Sequence, residues 1–287
     1  MNQLRPPFEQ HTRFARVRAR LEAFEPRPGW RAWTFEFLLF GFKQGWACLF
    51  GALMLMLLLG THLHYPENAA LARYDAITIG AIIIQIAMLA FKLETLEEAR
   101  VILAFHIVGT VMELFKTSVG SWIYPEPSLL HIGAVPLFSG FMYASVGSYL
   151  ARVWRIFDFQ FARFPARGWL IALAVGIYAN FFSHHWIVDL RWLLFALVIW
   201  QFWGCNVSFK PFRTRYIMPL LLGFLLVALF IWFAENIGTY AQAWAYPNQR
   251  NGWALVSITK LGSWYLLMII SFIMVALLHR KTPTHSR

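Results

Sequence analysis

The residues best suited to chemistry are two glutamates, Glu113 and Glu235, in or beside long apolar stretches. An ionisable group within an apolar span costs about 3 kcal/mol on the insertion scale, and such groups usually serve a function. A carboxyl group held there can give or take a proton near neutral pH, as general acid–base catalysis requires. The two glutamates are therefore the first candidates for catalytic residues.

Each glutamate begins a copy of the same motif. Residues 113–125 read E-L-F-K-T-S-V-G-S-W-I-Y-P, and residues 235–247 read E-N-I-G-T-Y-A-Q-A-W-A-Y-P. Glu, Thr, Trp, Tyr and Pro recur at an offset of 122 residues (235 minus 113), which also aligns His62 with His184. Related halves of membrane proteins tend to form their sites between them. The motif therefore predicts two halves that share one site.

Further catalytic candidates lie close to these glutamates or in loops at the same face. Lys116 lies about one helical turn after Glu113, a spacing at which the side chains can pair. Such a pair would either fix helix packing or orient the carboxyl group for proton transfer. The second half would contribute Glu235 together with a loop histidine. The predicted catalytic residues are Glu113, Lys116, Glu235, His131 and His184.

Aromatic residues surround both glutamates, since each copy of the motif contains a tryptophan and a tyrosine. They form either an interfacial belt or a lining that stabilises a cationic intermediate, by about 2 kcal/mol for a desolvated contact. Pro136 is expected to kink the following span and open a cavity beside Tyr143. The predicted substrate-binding residues are Trp122, Tyr124, Tyr143, Trp244 and Tyr246.

A metal site is an alternative use of the polar loops, where five of the nine histidines gather. His185 and Asp189 are four residues apart, a spacing that can place two ligands on one metal. Histidine with carboxylate suits zinc or iron, whereas interfacial histidines can simply bond to the loop backbone. The candidate ligands are His62, His64, His184, His185 and Asp189. Acid–base chemistry on the glutamates needs no cofactor.

The composition indicates an all-α, polytopic membrane protein. Hydrophobic residues make up 59% of the chain and charged residues 14%, far below the roughly 25% of soluble domains. Apolar runs long enough to cross a bilayer recur throughout. They predict about eight spans, in a four-plus-four parallel repeat. The spans are 35–60, 74–91, 101–122, 129–150, 168–182, 187–204, 216–234 and 253–278.

The charge pattern gives the orientation. The net charge is +11, but the basic residues collect in alternate loops, which indicates membrane topology rather than nucleic-acid binding. Both termini are predicted to be cytoplasmic, in a bacterial inner membrane. The chain is predicted to begin with a basic segment, 1–34, that contains an interfacial amphipathic helix. Two four-helix halves follow, 35–150 and 151–278, and a basic cytoplasmic tail, 279–287, ends the chain. The expected partners are the bilayer and a hydrophobic small molecule.

The stretch from Glu113 through Y-P-E-P and G-A-V-P-L-F-S-G-F-M-Y-A-S-V-G-S-Y to Arg155 resembles the bacterial membrane family known as domain of unknown function 817. The resemblance extends from about residue 31 to residue 278 and implies no activity. More distantly, the chain is similar to carotenoid hydratases of the bacterioruberin type. The matching positions there are Glu113, Trp122, Tyr124 and Pro136.

These observations favour a membrane-embedded enzyme that acts on a lipidic or isoprenoid substrate near the outer leaflet. Water addition to a double bond, or a double-bond shift, would suit a protonating carboxyl group flanked by aromatic rings. Two other classes of protein also agree with these residues. A secondary transporter would need a polar path that reaches both faces, and a metal-dependent hydrolase would use the outer histidines.

Overall fold

The apolar stretches fold into helices, in which every backbone polar group can be satisfied without water. The protein is described by a computed structural model that covers residues 29–249 and 251–278. This part of the chain is an all-α bundle. Its nine helices are α1 (Trp30–Ala47), α2 (Leu49–His64), α3 (Arg73–Ala90), α4 (Leu96–Ser118), α5 (Phe138–Phe157), α6 (Arg167–Ser183), α7 (Arg191–Phe202), α8 (Leu220–Tyr240) and α9 (Thr259–Leu278).

Four helices, α3, α4, α8 and α9, are long and apolar enough to cross a membrane. Helices α1 and α2 meet at an angle of 63° and would count as a fifth span if the bent pair is one. The predicted first span is therefore broken. Helices α6 and α7 have only 17 and 12 residues. The number of eight spans stays a prediction.

The predicted fourth span begins too early. Residues 131–136 form a short hairpin of β1 (His131–Ile132) and β2 (Val135–Pro136), and α5 begins at Phe138. Pro136 therefore ends a strand and does not kink a helix, because it pairs with His131 across the hairpin.

A small sheet lies at the opposite end of α5. Its antiparallel strands are β3 (Gln160–Ala162), β4 (Asn206–Phe209) and β5 (Tyr216–Pro219), in the order β3-β4-β5. Strand β5 takes up the start of the predicted seventh span. Helix α8 continues to Tyr240, so that Glu235, which follows the predicted span 216–234 directly, lies inside a helix and is buried.

Glycines allow α4 and α5 to pack closely. A Cβ at Gly109 would lie 2.6 Å from Cγ of Tyr143, and one at Gly147 would lie 2.7 Å from Cδ2 of Phe105. At Gly140 a Cβ would collide with the His106 ring. The line of small residues on α5 thus faces α4, as small-xxx-small spacing predicts, and it fixes the position of Tyr143.

The same pattern of helix contacts occurs twice in the bundle. Helix α2 packs on α3 and α5, and α4 packs on α5. Helix α6 packs on α7 and α9, and α8 packs on α9. Helices α5 and α9 also contact each other. The predicted interfacial helix and the basic tail lie outside the described residues.

Candidate functional site

Glu113, in the penultimate turn of α4, is 5% exposed and receives three hydrogen bonds. Trp122 Nε1 and Tyr124 Oη donate to Oε2, at 2.7 and 2.6 Å. Tyr143 Oη donates to Oε1, at 2.8 Å. All three donors are neutral. Such a site can stabilise a carboxylate without a cation, since hydrogen bonds favour the charged form.

The end of α4 places two of these donors. The helix ends at Ser118, and the backbone then reverses through Gly120, whose φ of +70° is in the left-handed region. Gly120 donates to the carbonyl of Thr117, which closes the turn. The chain therefore folds back over the last turn of α4, with the side chains of Trp122 and Tyr124 directed at Glu113.

Glu235 on α8 is the centre of a second cluster and is 3% exposed. Tyr246 Oη donates to its Oε1 and Trp264 Nε1 to its Oε2. The ammonium group of Lys260 lies 4.3 Å from the centroid of the Tyr246 ring. Trp264 has no counterpart in the repeated motif, so the sequence analysis missed it. The equivalent of Tyr143 is the adjacent Tyr265.

The two motif copies have the same backbone structure. Helices α4 and α8 end at Ser118 and Tyr240, at the offset of the motif. Three backbone hydrogen bonds after α4 recur at that offset after α8. They join Val119 to Phe115, Gly120 to Thr117 and Ser121 to Lys116 in the first copy, and Ala241 to Ile237, Gln242 to Thr239 and Ala243 to Gly238 in the second.

The two copies contact each other directly. Ile123 and Ala245, which occupy the same motif position, exchange backbone hydrogen bonds of 3.0 and 2.9 Å. Beside them the rings of Trp122 and Tyr246 meet edge to face, with centroids 6.1 Å apart. Glu235 is close enough to Glu113 for the carboxyl groups to interact electrostatically. The two clusters therefore form one continuous polar site.

A small, partly open apolar cavity adjoins this site, with a volume of about 30 Å³. Both halves contribute to its walls, which include Gly109, Met112 and Tyr143 from the first half and Ile231 and Trp264 from the second. Tyr143 and Trp264 are also hydrogen-bond donors to the glutamates. The cavity therefore ends at side chains that hold the two carboxyl groups.

Lys116 does not pair with Glu113, contrary to the prediction. It is 3% exposed and donates to the carbonyl of Phe181, at 3.0 Å. Its Nζ also lies 3.0 Å from Nε2 of His185. Burial lowers the pKa of His185, and the nearby Lys116 and His184 lower it further. A neutral imidazole can accept a hydrogen bond from the ammonium group.

The predicted catalytic histidines have backbone partners. His131 Nδ1 lies 2.7 Å from the carbonyl oxygen of Gly133, and His184 Nδ1 lies 3.0 Å from that of Asn180. The hydrogen bonds to both glutamates come instead from aromatic side chains. Trp244, predicted to bind substrate, packs against Gly238 on α8, and its side chain also lies beside the carboxyl group of Glu235.

The proposed metal ligands do not converge on one point, although the ring centroids of His184 and His185 lie 4.1 Å apart. The ring of His62 packs on Tyr240, and His64 is exposed. Asp189 accepts a hydrogen bond from Asn180 and pairs with Arg191. Within residues 29–249 and 251–278, no three His, Cys, Asp or Glu side chains come together as a metal ion would require.

Comparison with known proteins gives the family. The family model described as protein of unknown function (DUF817) matches residues 36–272. The chain belongs to this family. The uncharacterized protein YoaT of Bacillus subtilis (strain 168) is 45% identical over 248 residues, which cover 85% of this chain and 93% of YoaT. No solved structure matches the chain. The resemblance to DUF817 is thereby confirmed, and nothing in these comparisons supports the resemblance to carotenoid hydratases.

Proposed function

We propose that this DUF817 protein is a multi-pass membrane enzyme that uses Glu113 and Glu235 for acid–base chemistry on a hydrophobic, isoprenoid-like substrate. One carboxyl group protonates a carbon–carbon double bond. The resulting cation then either takes up water and releases a proton, which gives hydration, or loses a different proton, which shifts the double bond. Both reactions are balanced without an oxidant, a reductant or a cofactor.

The observation that carries this proposal is the double role of Tyr143 and Trp264. Each lines the apolar cavity and donates a hydrogen bond to one of the two glutamates. A substrate chain in the cavity would therefore lie beside both carboxyl groups. Burial of the glutamates excludes bulk water, which strengthens every electrostatic interaction in the site.

The donors around Glu113 suit a group that changes charge during a reaction. When the carboxylic acid gives its proton to the substrate, the three neutral donors stabilise the carboxylate that remains. The rings of Trp122 and Trp264 can stabilise a cation by a cation–π interaction. Glu235 is then free to accept the proton that leaves the substrate or the attacking water.

We further propose that the membrane domain is a four-plus-four repeat with eight spans, α2–α5 and α6–α9. The matching helix pairs, the matching helix ends and the Ile123–Ala245 bridge support this arrangement. Basic residues in alternate loops favour cytoplasmic termini in a bacterial inner membrane, with the repeated motifs at the outer face. The site would then lie near the outer leaflet.

The proposal can be tested without knowing the substrate. Purified protein is incubated with a bacterial lipid extract in deuterated water, and the lipids are analysed by mass spectrometry. Protonation at carbon leaves deuterium in the lipid, whether the product is hydrated or isomerised. We expect labelling of a discrete lipid species by the wild-type protein and loss of this labelling in Glu113→Gln.

The matched control is Glu97→Gln, because Glu97 lies on the same helix but is exposed. This variant should label lipid as the wild type does. Equal labelling by wild type and Glu113→Gln would refute a catalytic role for that carboxyl group. Absence of carbon-bound deuterium from every lipid would refute the reaction class.

A proton-coupled permease is the second candidate. The observation that favours it is the position of both glutamates between two similar halves, where repeat transporters bind their substrates. Such a protein would move a hydrophobic solute across proteoliposome membranes in response to a pH gradient. It would leave no deuterium on carbon, so the labelling experiment separates the two functions.

A further inference from the structure

Two lysines lie at the end of the cavity where the repeated motifs meet, which we call the motif end. On α4, Met112 lines the cavity and Lys116 follows one turn closer to the motif end. On α9, Trp264 lines the cavity and Lys260 precedes it by one turn, again toward the motif end. Residues four apart share a helix face, so both lysines lie beyond the same cavity.

Neither ammonium group forms a salt bridge within the part of the chain that the structure describes. Lys116 contacts the carbonyl of Phe181, the ring of the same residue and His185. Lys260 lies over the rings of Tyr246 and Trp122, at 4.3 and 6.0 Å from their centroids. Among the described residues, neither lysine has an Asp or Glu oxygen within 4.0 Å of its ammonium nitrogen.

The surrounding charges leave an excess of cations at the motif end. Lys116 and Lys260 are close enough to repel each other, and Arg191 repels both. Asp189 pairs with Arg191, at 3.2 Å, and also attracts Lys116. Glu235 attracts Lys260 from more than 4.0 Å, so that three cations face these two carboxylates. Cations held together in a buried site are costly without a counter-charge. A bound anion would offset this repulsion.

We propose that this site binds a lipid monophosphate, with the apolar chain along the partly open cavity, between α4 and α9, and the phosphate between Lys116 and Lys260. Ammonium groups are common phosphate ligands, and each can donate hydrogen bonds to a phosphate oxygen. The apolar walls exclude a free anion from the rest of the site. This inference rests on the proposed function only in identifying the cavity as the substrate site, and it names the substrate's polar group.

Binding is measured by native mass spectrometry of the detergent-purified full chain with three probes, farnesyl phosphate, farnesol and inorganic phosphate. We expect farnesyl phosphate to bind at least about tenfold more tightly than farnesol, a difference that one charge-assisted contact can supply. Equal affinity for farnesyl phosphate and farnesol would overturn the phosphate site. Inorganic phosphate that binds as tightly as farnesyl phosphate would overturn the lipid assignment.

Two variants locate the phosphate. Lys260 is half-buried, so Lys260→Gln should fold and should weaken farnesyl phosphate binding about tenfold, as should Lys116→Gln. Binding of farnesol should not change. Lys210→Gln is the control, because Lys210 is exposed and follows β4 at the opposite end of the bundle. Unchanged affinity of Lys260→Gln for farnesyl phosphate, in a protein that melts as the wild type does, would overturn the proposal.

The outcome is independent of the labelling experiment. Farnesyl phosphate binding that depends on Lys260, without deuterium labelling of any lipid, would support this site and refute the proposed enzyme. Labelling that depends on Glu113 but is confined to lipids without phosphate would support the enzyme and refute this site.

Discussion

The backbones of Ile123 and Ala245 exchange two hydrogen bonds, although 122 residues separate them in the chain (245 minus 123). They occupy the same position in two copies of one motif, so each copy bonds to the other through the same atoms. Such reciprocal contact is typical of a local two-fold axis. The bridge therefore fixes the relative position of the two glutamate clusters.

We predict that Ala245→Pro destabilises the site. Proline lacks the N–H that Ala245 donates to the carbonyl of Ile123, and the loss of a buried hydrogen bond costs about 1–3 kcal/mol. The thermal unfolding midpoint in detergent should fall, as should deuterium labelling. Ala245→Ser keeps the N–H and should match the wild type. If both variants behave alike, the bridge does not hold the two copies together.

Tyr143→Phe tests the link between the cavity and Glu113. The hydroxyl of Tyr143 donates to Oε1 of Glu113, at 2.8 Å, and its removal leaves that buried oxygen without this donor. We expect a loss of about 1–3 kcal/mol in the free energy of unfolding and a strong reduction in labelling. The free energy is obtained from denaturant titration in micelles.

The control for this prediction lines the same cavity. Tyr178 also faces it, but its hydroxyl contacts only the sulfur of Met274, at 4.0 Å. Tyr178→Phe should therefore change both stability and labelling little. A similar loss in the two variants would attribute the effect to packing in the cavity and not to the hydrogen bond with Glu113.

Part of the site was predictable because its signals are local. Apolar runs indicate helices by length and composition alone. The motif at residues 113–125 places Trp122 and Tyr124 after Glu113, and a helix end within that motif brings them back over the last turn. Four of the five predicted substrate-binding residues therefore lie in the two motif copies, and the structure places the side chains of all four beside the glutamates.

The rest depends on contacts between distant segments. Helix α8 ends in a turn with Gln242 at a φ of 52°, where no glycine indicates the left-handed conformation. The sequence pattern therefore ends span 216–234 before Glu235, whereas the helix includes it. Lys116 bonds to Phe181, 65 residues further along the chain, which no local spacing could predict. Trp264 carries no repeat signal.

Glu94 and Arg152 form a buried ion pair near the C-terminal end of α5, at the end of the bundle opposite to the two glutamate clusters. Both side chains are 0% exposed. Ser148 and Gln85 complete the hydrogen bonds of the carboxylate. Removal of one partner leaves the other charge buried, so Glu94→Gln should cost about 3–5 kcal/mol. Denaturant unfolding in detergent measures this loss.

The double variant Glu94→Leu/Arg152→Met should recover most of that stability, because replacement of a buried pair by apolar residues is often neutral. Glu97→Gln, at an exposed position three residues along, should behave as the wild type does. A Glu94→Gln protein as stable as Glu97→Gln would indicate that the pair adds nothing to folding.

The pH dependence of stability should report on His185, which lies between α6 and α7. Its pKa is lowered from the ordinary value of 6.5 by burial first and then by the charge of Lys116 and by His184. The unfolded chain therefore binds more protons than the folded one as the pH falls through about 6.5, and stability must decrease over this window. Above it the histidine is neutral in both states and contributes no pH dependence.

We accordingly expect the unfolding midpoint of the wild type to fall relative to that of His185→Gln between about pH 7.5 and pH 5.5, where a histidine of ordinary pKa becomes protonated. The control is His64→Gln, because His64 is exposed, as His185 is, but lies at the end of α2 and not beside Lys116. Asp189, the nearby carboxylate, does not interfere. Burial acts to raise its pKa, but hydrogen bonds from Asn180 and Arg191 bring the pKa below 3.8, outside the measured window. A curve that keeps its slope in His185→Gln would show that Lys116 and His185 are not coupled through this contact.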